Sequence, residues 1–293
     1  MLAVALALVA AALFAVAAVA QQRGTAGVAD DDALGAGFVA TLARRPIWLA
    51  GIGADIAGFV VGALALGVGS LLVVQPLLVT TVLFALPLAA WSDHRRLAPA
   101  EWAWALVLAA SLVLFFVVGE PTAGRDGAPA RQWIPVLVLL LPAVAGCVAA
   151  ASALPHGRGR SLLLAVAAGL LLGLSGPLTK TAMRSFDEGL PAALVTWELW
   201  GMAICAALGT FWQQSSYQAG DVQTSLPAVT VLKPIVAMGL GVTLYREAVE
   251  VGDLGVLALI VALGGMGAAT VALGRLAAAG MDDEDPATVD PPD

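Results

Sequence analysis

The chain contains about nine apolar runs of roughly 20 residues, separated by short segments rich in arginine, glycine and proline. A helix needs about 20 apolar residues to cross a hydrocarbon core about 30 Å thick. The ten-residue alternation of a membrane β-barrel is absent. These features predict an all-α polytopic membrane protein. The expected runs are 1–22, 47–67, 70–91, 101–119, 133–153, 161–181, 190–213, 221–244 and 252–275.

Composition supports the same class. Only 12% of the residues are charged and 60% are apolar, whereas soluble domains carry roughly 25% charged residues. The first run ends in an Ala-x-Ala pattern that is typical of signal-peptide cleavage sites, but it has no basic segment before it and is long enough for a full crossing. We therefore expect it to be retained as a helix.

The arginines are unevenly divided between the two sets of connecting segments. Eight follow odd-numbered runs: Arg23, Arg44, Arg45, Arg95, Arg96, Arg158, Arg160 and Arg275. The other four are Arg125, Arg131, Arg184 and Arg246. Because short cytoplasmic loops of membrane proteins carry an excess of Lys and Arg, this division predicts an inner-membrane protein with its N-terminus outside and its C-terminus in the cytoplasm.

The two halves of the chain match weakly at a constant shift of 151 positions. The superposed pairs are Gly58 with Gly209, Gly69 with Gly220, Pro76 with Pro227 and Arg95 with Arg246. Equivalent runs are five apart, so the two copies cross the membrane in opposite directions. Inverted repeats of this kind recur in secondary transporters, although a duplicated bundle without a transport role would also give the pattern.

This repeat predicts the organisation of the chain. We expect a first repeat half at 1–132, an unpaired fifth run with its linker at 133–160, and a second half at 161–279. The remaining residues, 280–293, are acidic and rich in proline, which is typical of a disordered tail.

Four charged residues of the apolar runs are predicted to lie within the hydrocarbon: Asp55, Lys180, Glu198 and Lys233. Such residues cost at least about 2.5–3.5 kcal/mol near the bilayer centre, and they usually face the bundle interior or a water-filled path. We therefore predict that they bind the substrate or a coupling ion. Asp55 can be a cation ligand, a proton carrier, a counter-ion or a structural carboxylate, and Lys180 can alternatively extend to the membrane interface.

Lys233 is the most informative of the four, because it lies near the middle of its run and directly precedes Pro234. Its amine must be neutral, paired with Asp55 or Glu198, or directed into a wet cavity. A fixed positive charge there would oppose cation binding. It favours an anionic or zwitterionic solute, or a Lys–carboxylate pair coupled to protons.

A polar stretch, "WQQSSYQ", closes the seventh run. It places Gln213, Gln214 and Tyr217 at the predicted inner mouth, while Gln75 lies in the equivalent region at the outer mouth. Amides bind polar solutes or hydrated cations without fixed charge, so we predict a vestibule or gate. A solvated helix end would also tolerate these residues.

Several stretches resemble the drug/metabolite transporter superfamily and its EamA-type repeat. The charged "YREAVEVGDLG" before the last run carries the general likeness, and "WLAGIGADIAGF", "GLSGPLTKTA" and "QQSSYQAGDVQTSLP" are similar to the NIPA-like branch. The resemblance implies transport by alternating access, and eukaryotic members of that branch are associated with magnesium. Members commonly have glutamate before the proline where this chain has Lys233.

The resulting prediction is a secondary transporter of a small polar metabolite, drug or lipid-linked headgroup. One alternative is a magnesium transporter, with Asp55 and Glu198 as metal ligands; the other is a non-transporting membrane subunit or scaffold for an envelope enzyme. We found no P-loop, zinc motif or Gly-rich nucleotide turn, so neither enzymatic activity, a cofactor nor a nucleic-acid partner is expected. The expected partners are the lipid bilayer and a small-molecule or ion substrate; a homodimer or a membrane complex stays open.

Overall fold

The computed structural model describes residues 1–25, 44–122, 124–125, 127–220, 222–250 and 253–282. Most of the expected disordered tail, from residue 283 onward, lies outside these residues. The helices are α1 (Leu2–Thr25), α2 (Pro46–Val68), α3 (Leu71–Val79), α4 (Thr81–Ser92), α5 (Pro99–Val118), α6 (Ala130–Ser152), α7 (Arg158–Ser185), α8 (Leu190–Val195), α9 (Trp197–Ala219), α10 (Val222–Leu244) and α11 (Asp253–Asp282). The described residues also form two strands: β1 (Glu120–Thr122) and β2 (Ala248–Glu250).

Eight helical segments in the described part of the chain are long and apolar enough to cross a membrane. This confirms the predicted class, a mostly helical multi-pass membrane protein. The helix α9 is also 23 residues long, but Glu198 and its polar C-terminal half lower its hydropathy and it is not among the eight. The ninth crossing therefore stays a prediction.

Two of the expected runs are interrupted. The third run is divided at Thr80 into α3 and α4; Pro76 has no amide hydrogen for the helical bond to residue 72, and the Thr80 hydroxyl donates to the carbonyl of Leu77 at 2.5 Å. The seventh run is divided at Thr196, whose backbone is extended with ψ of 136°. Its hydroxyl donates to the carbonyl of Ala193 at 2.8 Å.

The chain divides into two units, Met1–Trp102 and Ala103–Asp293, called unit 1 and unit 2. In unit 1, α1 and α2 pack antiparallel through small residues: Gly51 faces Gln21, Gly58 faces Phe14 and Gly62 faces Ala10. A Cβ at Gly58 would lie 3.0 Å from the Phe14 ring. The glycine face of the second run thus lets the two helices approach closely.

A carboxylate fixes the connection from α4 to α5 in unit 1. Glu101 accepts two hydrogen bonds from Arg95, at 2.9 and 3.0 Å, and one from the Ala98 amide at 2.7 Å. The Glu101 side chain is 6% exposed, whereas that of Arg95 is 41% exposed. Charge-assisted bidentate pairing of this kind fixes geometry as well as adding energy.

Replacing Glu101 with Gln is expected to lower the free energy of unfolding by about 1–2 kcal/mol, because the amide cannot accept both guanidinium bonds. Chemical unfolding of the purified protein in detergent measures this. The matched control is Glu120→Gln on the exposed side of β1, for which we expect no measurable change; equal losses in the two variants would contradict the assignment.

In unit 2, α7 is the central helix. In its most apolar stretch of 18 residues, 72% is buried, whereas 28% is buried in the corresponding stretches of α10 and of α11. Gly169 and Gly173 of α7 face Leu232 and Val236 of α10, so these two helices run parallel. The helix α9 runs antiparallel to α7, with its Gly209 against Leu172.

A two-stranded sheet was not predicted from the sequence. Strands β1 and β2 pair antiparallel with Pro121 opposite Val249, which joins the segment after α5 to the segment after α10. The amide of Arg125 donates to the carbonyl of Tyr245 at 2.5 Å. The sheet thereby holds the chain that leaves α10 in a defined position within unit 2.

Candidate functional site

A buried ion pair joins α7 to the segment after α10. The Lys180 ammonium donates to the Glu247 carboxylate, with Nζ 2.5 Å from Oε1, and the two side chains are 7% and 0% exposed. The parallel packing of α7 and α10 brings their C-terminal ends together. Because Lys180 lies five residues before the end of α7 and Glu247 follows α10 by three residues, the charges meet there.

Tyr245 forms one side of this site. Its hydroxyl donates to the carbonyl of Pro177 at 2.5 Å. The Thr181 hydroxyl lies 2.5 Å from the hydroxyl oxygen of Tyr245. It must donate to that oxygen, because the tyrosine already donates its own proton to Pro177. The tyrosine ring centroid lies 4.9 Å from Lys180 Nζ, so the ammonium also has a favourable cation–π contact.

The turn at Arg246 places Tyr245 and Glu247 together. Arg246 has a φ of 58°, a left-handed conformation that is uncommon for residues other than glycine. The amides of Tyr245 and Glu247 both donate to the carbonyl of Gly241, at 3.1 Å each. The turn buries the side chains of Tyr245 and Glu247, while Arg246 between them is exposed.

The electrostatic environment includes a second carboxylate. Burial raises the pKa of Tyr245; the hydrogen bond from Thr181 opposes this rise, and the charges of Glu247 and Glu198 add to it. Tyr245 is therefore neutral and remains a hydrogen-bond donor at neutral pH. Glu198 is half-buried in the first turn of α9, and its charge is the smallest of the causes that raise the pKa of Tyr245.

The predicted site residues do not all come together. Lys180 is buried rather than extended to an interface, and its partner is Glu247, which the sequence analysis did not single out. Lys233 is exposed, and so is Asp55. Gly51 and Gly58, which precede and follow Asp55 on the same face of α2, are buried. The helix α1 contacts α2 along these glycines, and the Asp55 side chain lies to one side of that contact.

The residues predicted to line the inner mouth lie in α9, and Gln75, which was predicted at the outer mouth, lies in α3. Gln213 donates to the Tyr217 hydroxyl at 2.7 Å, one turn along α9, and Gln214 is exposed. Ser216 in the same stretch is buried and its carbonyl accepts a bond from Ser161 at 2.8 Å, so part of "WQQSSYQ" attaches α9 to α7. Gln75 is buried within α3.

Glu247 and Tyr245 have a sequence signal that could have identified them. They stand two residues apart just after the eighth run, and Tyr245 is one of only two tyrosines in the chain. Both lie in "YREAVEVGDLG", the charged stretch that carries the resemblance to the EamA-type repeat. Among the described residues, no group of three His, Cys, Asp or Glu side chains is placed to hold a metal ion.

These features define a helical multi-pass membrane protein with a buried ion pair in its second unit. The chain is 36% identical over 231 residues to the uncharacterized protein Cgl0250/cg0304 of Corynebacterium glutamicum, a match that covers 78% of this chain and 80% of that protein. The chain belongs to the same family as this protein. No family model matches the chain, and no solved structure matches it.

Proposed function

We propose that the protein is a secondary transporter of the drug/metabolite transporter superfamily, moving a small polar metabolite, drug or lipid-linked headgroup across the inner membrane by alternating access. Its N-terminus would lie outside and its C-terminus in the cytoplasm. The observation that carries the proposal is the buried Lys180–Glu247 pair. Ionisable groups inside membrane bundles are costly, and in transporters they commonly form proton relays or substrate sites.

The pair has the chemistry that a coupling element needs. Protonation of Glu247 removes the negative charge that stabilises the buried ammonium, and loss of the Lys180 proton has the converse effect. Either event weakens the link between α7 and the segment after α10. A carboxylate or amine on the solute competes for the same partners, so binding of solute and movement of a proton become linked.

Local geometry within each unit supports the repeat. Gly58 and Gly209, which match at the shift of 151, each lie in close contact with the preceding long helix of their unit, α1 and α7. In addition, a residue other than glycine with positive φ stands two residues after the end of both α4 and α10, His94 at 51° and Arg246 at 58°, which is one position out of register with the shift of 151. These parallels favour two copies of one folding pattern.

The magnesium alternative lacks a comparable observation. The site contains the positive charge of Lys180, which would oppose a divalent ion at low effective dielectric. Within the described residues the acidic side chains do not gather into a group of ligands. We therefore propose proton-linked transport of a polar solute.

The test is solute-driven proton movement in proteoliposomes that contain a pH-sensitive dye, screened with anionic, zwitterionic and cationic metabolites. The informative variant is the double replacement Lys180→Met/Glu247→Gln, which leaves no unpaired buried charge. We expect the wild type to acidify or alkalinise the lumen with one class of solute, and the double variant to lose this coupling. Glu250→Gln, at an exposed carboxylate of β2, is the control and should keep it. Coupling retained in the double variant would overturn the role of the pair, and silence across all solutes in the wild type would overturn transport.

A further inference from the structure

A groove with a volume of about 580 Å³ opens between α7, α10 and α11 in unit 2. Its walls are apolar along all three helices. They include Leu162, Val166, Val231, Leu232 and Val271. Leu162 is 42% exposed, so this apolar surface is accessible from outside the protein.

Two arginines lie at one end of the groove. Arg158 is the first residue of α7, and Arg275 lies one turn beyond Val271, next to the end of the apolar span Gly255–Leu276 of α11. Both line the groove and both are exposed. Because each stands at the end of an apolar span, the arginines mark the membrane edge and the apolar walls lie within the hydrocarbon.

The dimensions match one leaflet of a bilayer. Eight residues separate Arg158 from Val166 along α7, which corresponds to about 12 Å at the helical rise of 1.5 Å per residue. Half of a hydrocarbon core of about 30 Å is about 15 Å. A molecule held at the arginines therefore places its apolar portion alongside the walls over most of a leaflet.

The charge at this end selects the chemistry of the occupant. The residues that line the groove include two arginines and no acidic side chain. Guanidinium groups bind phosphate through paired, charge-assisted hydrogen bonds, and basic pockets between membrane helices on the cytoplasmic side bind anionic headgroups. The distribution of arginines in the sequence predicts that this end faces the cytoplasm.

We propose that this groove is a binding site for an anionic phospholipid of the cytoplasmic leaflet. Arg158 and Arg275 hold the phosphate, and an acyl chain lies between α7, α10 and α11. The site is separate from the Lys180–Glu247 pair, which lies at the opposite end of α7, and it does not depend on the transport proposal.

The test measures binding of phosphatidylglycerol to the full-length protein in detergent micelles by native mass spectrometry. Phosphatidylcholine is the neutral reference lipid. The double variant Arg158→Gln/Arg275→Gln is expected to bind phosphatidylglycerol at least about tenfold more weakly, with little change for phosphatidylcholine. The matched control is Arg44→Gln/Arg96→Gln, which removes two exposed charges from the same predicted side. It should bind both lipids as the wild type does.

A second variant tests the acyl-chain part of the proposal. Val231→Trp fills the groove without changing its charge, and we expect it to weaken phosphatidylglycerol binding while both arginines are retained. Unchanged binding in this variant, an equal loss in the Arg44/Arg96 control, or displacement of the lipid by millimolar inorganic phosphate would each overturn the assignment.

Discussion

Replacing Glu247 with Gln, or Lys180 with Met, is expected to lower the free energy of unfolding by about 3–5 kcal/mol, whereas the double replacement should recover most of this loss. Each single change leaves one buried group without its charged partner. Glu247 is fully buried and Lys180 is 7% exposed, so water cannot solvate the remaining group. In the double variant neither charge is present.

A double-mutant cycle measures this expectation. The four proteins are unfolded in mixed micelles under identical conditions, and the coupling energy is the difference between the double loss and the sum of the single losses. Glu250→Gln on β2 serves as the control for removing a nearby exposed carboxylate. Single losses that simply add in the double variant would show that the two charges do not stabilise each other.

This cycle also separates folding from function. A single variant that loses transport can do so because it unfolds. A double variant that folds as the wild type does but no longer couples solute to protons has lost only the titratable groups. The stability measurement is therefore the necessary companion of the proteoliposome assay.

The helices were predictable because membrane crossings have a length and hydropathy that few other structures share. The predicted second run, 47–67, is Pro46–Val68 in the structure, and the predicted fifth, 133–153, is Ala130–Ser152. The interruptions at Thr80 and Thr196 were missed, because threonine within an apolar stretch is compatible with a continuous helix. At both positions the threonine hydroxyl donates to the carbonyl three residues earlier, a local bond that hydropathy does not report.

The ion pair was only half predictable. Lys180 was identified because it lies within an apolar run, where a charge is conspicuous. Glu247 lies outside every run, and its burial requires the parallel packing of α7 and α10, the turn at Arg246 and the pairing of β1 with β2. These are contacts between segments distant in the sequence. Lys233 illustrates the converse: its mid-run position was conspicuous, yet its side chain is exposed.

The second large effect is expected at Gly173, which sets the distance between α7 and α10. A Cβ at this position would lie 2.6 Å from the Cβ of Val236 and 2.9 Å from the carbonyl oxygen of Lys233. Neither atom is the end of a flexible side chain, so α10 must move away. We expect Gly173→Ala to lower the free energy of unfolding by about 1–3 kcal/mol through overpacking, even though alanine is the better helix former by about 1 kcal/mol.

The control for Gly173→Ala is Gly146→Ala on α6, where an added Cβ meets no atom within 4 Å. There the helix propensity acts alone, so the variant should be as stable as the wild type or slightly more stable. If the two variants behave alike, the contact of α7 with α10 at Gly173 is not a close one.

The packing at Gly173 also aligns the helix ends that carry Lys180 and Glu247. Repeating the double-mutant cycle in the Gly173→Ala background should therefore give a smaller coupling energy between Lys180 and Glu247. An unchanged coupling energy would show that the turn at Arg246 and the two-stranded sheet hold Glu247 in place without help from the helix packing.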